Sequence, residues 1–327
     1  MNKNKSIKSF SKKALLTILA LSMPLPFVGC KKAEANRDTK KISIVCTNFP
    51  EYDFAKQIVK DKADVKMLLK PGAESHSFEP SPKDIIDIKK SDVFMYAGGD
   101  SDEWVDKILS SMKKKKNQTF KLMDQVKLSE EEHPEGMEEE KEEEGDEKEE
   151  GPEMDEHVWT SPKNAIKIVN NLEKKLSKLS PENKTIFKAN AKSYINKLSK
   201  LDKQFRNVIK NAKRKEIVVG DRFPFLYFCK EYGLKYYGAF PGCSKDTDAS
   251  AKTIAFLVNK VKEDKIPVVF HIEFSNEKVC NSICESTKAK KMLLNAIHNV
   301  TSKQFKDKVT YVSLMEHNVK ALKEALN

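Results

Sequence analysis

Residues 180–213, "SPENKTIFKANAKSYINKLSKLDKQFRNVIKNAK", hold one proline, at the second position, and no glycine. Ser180-Pro181 is a helix entrance, with the serine as N-cap and the proline in the first turn. The roughly 30 residues that follow, at about 1.5 Å each, predict a helix about 45 Å long, the length of a whole lobe. A helix that long is a strut between two domains or a coiled-coil arm, and no single heptad seam is clear in it. The fold then depends on what lies on either side.

On the N-terminal side, "KISIVCTNF" at 41–49 is a β-branched apolar run, read as a buried strand, and "EYDFAKQIVKD" continues with helical periodicity. "DVKMLLKPGAESH" gives a second strand, "SPKDIIDIKKS" a helix, "DVFMYAGGD" a third strand and "SDEWVDKILSSMKK" another helix. From 216 the alternation resumes with "EIVVGD", "LKYYGAF" and "IPVVFHIEF" as strands, each followed by a helical pattern. Strands alternating with helices predict α/β lobes with mainly parallel sheets. The plan is a first lobe over 41–162, linking helices over 163–214 and a second lobe over 215–327. Ligands of such sheets sit beyond the strand carboxyl ends, so two lobes in apposition make a cleft.

The first 40 residues stand apart. "MNKNKSIKSFSKK" carries five lysines and no acid, and "ALLTILALSMPLPFV" is a short, proline-interrupted apolar stretch ending at Gly29-Cys30. This reads as a secretory leader over 1–30 rather than a membrane span. Cys30 after Gly29 resembles the bacterial lipobox, which implies a lipidated cysteine and a polar tether over 31–40 on the outer side of a membrane. The other five cysteines, at 46, 229, 243, 280 and 284, have neither the number for a full disulfide framework nor zinc-ribbon spacing. The net charge of +11 conceals an acidic run: residues 130–156 hold 17 acids and two lysines, a balance of −15. The lysines elsewhere are scattered over amphipathic helices without clustered aromatics, so nucleic acid is not expected. The acidic stretch 129–156 has almost nothing apolar and reads as a solvated insertion in the first lobe, with His133 as a candidate cation-capturing residue.

Two of the six histidines occupy echoing positions. His76 in "PGAESHSFEPSPKD" and His157 in "DEHVWTSPKN" precede a Ser-Pro helix entrance by five and four residues, which places both imidazoles in short pinned loops. Neutral imidazole is a common ligand for zinc-like ions, and Glu74, Glu79, Asp155 and Glu156 are close enough in sequence to fix its tautomer. A single loop histidine is more often a hydrogen-bonded structural residue, but the pair points to metal. His271, in the run "VVFHIEF", reads as core, and His317 lies on the closing helix.

"PGAESHSFEPSP", "DEHVWTSPKNA", "GDRFPFLYFCKEYGL" and "VTYVSLMEHNVKALKEAL" together resemble the metal-binding lipoproteins of ABC importers for zinc and manganese, the cluster A-I solute-binding proteins. The resemblance covers nearly all of the chain after the tether. It implies two α/β lobes joined by a rigid long helix, one metal ion between them, and delivery to a membrane ABC permease by a monomeric, non-enzymatic, lipid-anchored protein outside the cytoplasm. It makes His76 and His157 the first-lobe ligands. The family's third ligand falls on Arg222, and a guanidinium cannot bind a metal; Asp221 beside it, or Glu273 in "FHIEFSN", is the expected substitute. His298, in "NAIHNVTS", falls within one position of the fourth.

A histidine-rich set favours Zn2+, and participation of both Asp221 and Glu273 would move the choice towards Mn2+. The rival readings are a surface adhesin or structural lipoprotein, and a zinc hydrolase, for which no H-E-x-x-H or comparable motif is present.

Overall fold

The computed structural model describes residues 41–112, 118–138, 153–244 and 248–327. The leader, Cys30, the tether and residues 139–152 of the acidic run lie outside the described residues. Among those described, no helix is long and apolar enough to cross a membrane.

The two lobes share one strand order. In the first, β1 (Ile42–Cys46), β2 (Ala63–Met67), β3 (Val93–Tyr96) and β4 (Thr119–Lys121) form a parallel sheet ordered β2-β1-β3-β4. In the second, β5 (Glu216–Arg222), β6 (Lys235–Phe240), β7 (Val268–His271) and β8 (Lys290–Leu293) repeat it as β6-β5-β7-β8. In each the chain runs outward from the founding strand and then returns to its other side. That reversal leaves a crevice beyond the carboxyl ends of β1/β3 and of β5/β7.

The helices follow the sequence closely. In the first lobe these are α1 (Phe49–Val59), α2 (Pro82–Lys90) and α3 (Glu103–Met112). Then come α4 (Pro162–Leu179) and the strut α5 (Lys184–Lys210), and the second lobe has α6 (Leu226–Tyr232), α7 (Ala251–Glu263), α8 (Lys278–Thr287), α9 (Ser302–Lys306) and α10 (Tyr311–Ala325). Two of the three Ser-Pro entrances form as expected: Ser81 caps α2 in a reciprocal box with Asp84, and the Ser161 side chain accepts from the Asn164 N–H at the start of α4. The third does not: Pro181–Asn183 form a separate 3-10 turn, Ser180 makes no side-chain capping bond, and α5 begins only at Lys184 after Asn183.

α5 does contain a seven-residue seam, contrary to the reading above. Its buried positions are 187, 191, 194, 198, 201, 205 and 208, alternating steps of four and three, plus Ile209. Ala191 and Tyr194 are weak apolar signals in sequence, and Ile186, which is exposed, lies off the seam. The seam packs on α4, α1 and α10. The closing helix thus packs on the strut and the first lobe while remaining bonded to the second, where Asn318 pairs with Asn295.

These contacts join the lobes through a common core. The Asp53 carboxylate on α1 accepts from Tyr194 Oη of α5 at 2.7 Å and from the Tyr311 N–H at the start of α10 at 3.2 Å. Phe54 meets the edge of Tyr311 at 5.2 Å. Trp159, fully buried, donates its indole N–H to the Ala296 carbonyl at 2.8 Å, and Tyr311 Oη donates to the Trp159 carbonyl at 2.7 Å. Backbone bonds from Phe49 N to His298 O and from Gly72 N to Val300 O continue the seam. Opening the lobes as a hinge would break the bonds from Trp159 to Ala296, Phe49 to His298 and Gly72 to Val300.

Two elements were not foreseen. β4 and β8 are the outer strands of their sheets, three and four residues long, and β8, "KKML", is largely exposed. Short, lysine-bearing edge strands carry no buried alternation to read. The acidic run also departs from expectation in its described part, for residues 129–138 are seated on the second lobe. Glu131 N bonds Glu153 O and Asp155 N bonds Ser129 O, closing the base of the insertion. Beyond that base, Glu138 N bonds Ala239 O, Glu132 pairs with Lys230 at 2.7 Å and accepts from Tyr236 Oη at 2.8 Å, and Gly136 lies against the Phe256 ring.

Candidate metal centre

Each crevice delivers its residues through the loops that follow its strands. His76 comes after β2, Ser101 after β3 and His157 before α4; Asp221 and Arg222 end β5, Glu273 follows β7, and His298 follows β8. His76, His157 and His298 converge. One ligand nitrogen from each lies within 4.8 Å of the others, and the ring centroids are 5.8, 5.1 and 4.9 Å apart. His157 and His298 are buried, and Nε2 of all three rings is buried without a hydrogen-bond partner. Zinc–nitrogen bonds of about 2.0–2.1 Å in a tetrahedron set nitrogens roughly 3.4 Å apart, so small ring movements would complete such a site.

Each ring is held from behind. Ser101 Oγ donates its only proton to Glu156 Oε1 at 2.5 Å and is 2.8 Å from His76 Nδ1, so it accepts from that nitrogen. The Nδ1–H tautomer leaves the Nε2 lone pair facing the other histidines. Asp155 Oδ1 lies 3.3 Å from His157 Nδ1 and accepts from the His157 N–H. Glu273 Oε1 lies 3.6 Å from His298 Nδ1, and its two oxygens accept from the N–H groups of His298 and Ala296. Gly242, from the second lobe, sits against the His157 ring; a Cβ there would come within 2.9 Å of Cε1. Only glycine lets the second lobe approach this imidazole so closely.

Burial, followed by the charges of His298, Arg222 and His157, holds His76 well below the usual imidazole range. Burial likewise lowers His298, with Glu273 opposing. At His157 burial is outweighed by Asp155 and Glu156, and the ring is raised. Two of the three rings are therefore kept neutral, the form that binds a metal.

The remaining sequence candidates are placed as follows. Asp221 and Glu273 do not join the converging set among the described residues. Asp221 Oδ1 accepts from the Arg222 N–H, while Oδ2 is buried without a partner. Arg222 pairs through Nη1 with Glu74 Oε1 at 3.0 Å across the cleft. His133 is exposed and belongs to no such group, and His271 is partly buried, its Nδ1 3.1 Å from the Ile272 carbonyl. Ser101 and Cys243 were passed over in the sequence. Cys243 lies with Glu156 and His157 in one group of closely spaced ligand atoms, and with Glu131 and Glu153 in another. Neither has a motif of its own; each acts through a partner more than 50 residues away.

Residues 44–325 match the family described as zinc-uptake complex component A, periplasmic. The zinc-binding lipoprotein AdcA of Streptococcus pneumoniae is 35% identical over 312 residues, 95% of this chain. The chain spans 61% of that relative's length. The high-affinity zinc uptake system protein ZnuA of Bacillus subtilis is 36% identical over 317 residues, 95% of this chain and 97% of the relative. The crystal structure of the Zn(II)-bound ZnuA-like domain of the pneumococcal AdcA superposes with a TM-score of 0.71 at 34% identity, covering 88% of this chain and 99% of that one.

Proposed function

The chain belongs to the zinc-uptake complex component A family, and on that footing we propose that it is the capture protein of a metal importer. It holds one Zn2+ ion as cargo between its lobes and passes it to an ABC permease. Its ligands are His76, His157 and His298, and Asp155, Glu273 and the Ser101–Glu156 pair orient the rings. It carries out no chemistry on its cargo. The leader and Cys30 place it, lipid-anchored, on the outer face of the membrane.

The observation that carries this reading is the convergence of three imidazoles whose buried Nε2 atoms have no partner among the described residues. Buried polar nitrogens without partners are costly, and three facing one point are accounted for by an ion that binds all of them. An all-nitrogen set suits zinc better than manganese, which prefers oxygen and six-coordination. The common core between the lobes limits release to small loop movements rather than hinge opening.

Calorimetric titration of metal-free protein tests the site. One Zn2+ should bind per chain, and His76→Ala combined with His157→Ala should remove the binding; unchanged affinity in that variant would refute the assignment. Affinity should weaken as pH falls, first through His157, the ring with the raised pKa.

A further inference from the structure

Arg222 is difficult to reconcile with a site that holds only a bare cation. It is 7% exposed, and a guanidinium is never neutral in a protein. Its charge reaches both His76 and His298. Glu74 takes Nη1, the Ser244 carbonyl lies at 3.5 Å from the same nitrogen, and Nε is buried with no partner among the described residues. Beside it lies a cavity of about 680 Å³, lined among others by Glu74, His76, Ser101, Asp221, Arg222 and Ser275. That volume is in the range of small-molecule sites and far exceeds the needs of one ion. The cavity meets the converging histidines at His76.

Three imidazoles leave a four-coordinate zinc ion one open position. The carboxylates behind the rings are committed: Glu273 to two backbone N–H groups, Glu156 to the Ser101 side chain and N–H, and Asp155 to the His157 N–H. A dication with three neutral ligands would then lie near a guanidinium only partly offset by Glu74. An anion between the two relieves the repulsion. A carboxylate is suited to this because it has two oxygens, one for the metal and one for charge-assisted bonds from the guanidinium N–H groups.

We propose that Arg222 is an anion-binding residue: the cavity admits a small carboxylate that bonds the captured metal through one oxygen and Arg222 through the other. The cargo is then a metal carboxylate rather than a bare ion. This rests on the three-histidine reading above, and Asp221, whose Oδ2 is also unpartnered, is its competitor for the open position.

The test is titration of metal-free protein with Co2+, read by visible absorption, and with Zn2+, read by calorimetry. Each is run in millimolar sodium acetate and in sodium chloride of equal ionic strength. Acetate should tighten metal binding by at least about fivefold and alter the Co2+ bands, as a charge-assisted contact would. Arg222→Gln should still bind metal in chloride but gain nothing from acetate, and Arg222→Lys, which keeps the charge and loses the fork, should recover less than half of the gain. Equal affinity and spectrum in the two salts would overturn the proposal, whether or not the variants fold. So would an acetate gain that survives Arg222→Gln, or Asp221→Asn abolishing binding while acetate has no effect. In each of these cases the parent protein still binds metal through its histidines and the capture reading stands, with Asp221 added to the ligands in the last. Absence of any His-dependent binding would remove both.

Discussion

The two lobes share a strand order, but Glu51, Asp102 and Glu156 of the first and Glu273 of the second carry charge in opposite ways. In the first, the buried carboxyls are forced upward: burial and mutual repulsion take Glu51 to about 8, Glu156 to about 7 and Asp102 to about 6. In the second, burial also acts on Glu273, but His298 and the backbone N–H groups outweigh it and hold that carboxyl below its ordinary value; Asp221, which backs no histidine, is raised by burial. One lobe therefore offers imidazoles near a group of acids, Glu51, Asp102 and Glu156, that burial pushes towards their protonated forms. The other offers an imidazole tied to a committed carboxylate, with a guanidinium alongside. The same strand order makes unlike half-sites because the loops beyond the strand ends carry different residues.

Deleting ligands should separate the halves most strongly. Under the three-histidine reading, His298→Ala should weaken Zn2+ binding as much as His157→Ala does, each by more than about 100-fold, beyond what loss of a supporting partner produces. Competition with a chromophoric chelator measures this. A His298→Ala variant near full affinity would make the site a property of the first lobe alone. Next in size is the tie between the lobes. Trp159→Phe removes the indole bond to Ala296 and leaves a buried gap, at an expected cost of about 2–4 kcal/mol in urea unfolding. A loss much smaller than that would mean the lobes are less firmly coupled than their shared core implies.

The half-sites also differed in how well they could be read. His76 and His157 were legible because each stands before a Ser-Pro entrance, a local signal that survives without three-dimensional context. His298 was reached only through family resemblance: it follows an exposed edge strand, β8, and its partner Glu273 is 25 residues earlier. The strut was legible from the lack of breakers in 182–213, yet its seam was not, since Ala191 and Tyr194 occupy seam positions while Ile186 does not. The acidic run misled for a related reason. Composition shows that it has no core of its own, but not that the second lobe presents Lys230, Tyr236 and the Ala239 carbonyl to receive its first ten residues. Contacts supplied by a distant element leave no mark on the segment that uses them.

Changes behind the rings should be smaller and unequal. Ser101→Ala frees the His76 tautomer, whereas Glu273→Gln sets an amide NH2 against one of the two N–H groups now bound, leaving it unpaired. Both should weaken Zn2+ binding within about 10–100-fold, with Glu273→Gln the greater loss. The reverse order would place the more exacting support in the first lobe.

The least of these effects tests the charge contrast itself, away from the metal. Glu51 is fully buried in the first turn of α1 with neither oxygen hydrogen-bonded, and its pKa of about 8 arises from burial and then from Asp102, with nearby amides offsetting part. The folded state therefore keeps this proton while the unfolded chain, near 4.5, has released it. Stability from this group is present at low pH and is lost progressively as pH rises from about 4.5 to about 8. Glu51→Gln retains the shape without the ionisation, so the variant should match the parent at pH 4 and exceed it by roughly 1–3 kcal/mol at pH 8 in urea unfolding. The second-lobe change Glu273→Gln should show the opposite sign. It removes a carboxylate that the fold stabilises, so its deficit should be present above the unfolded value and fade as pH falls through the lowered folded one. If both variants shifted stability in the same direction at pH 8, the two lobes would not differ in the way their buried carboxyls indicate.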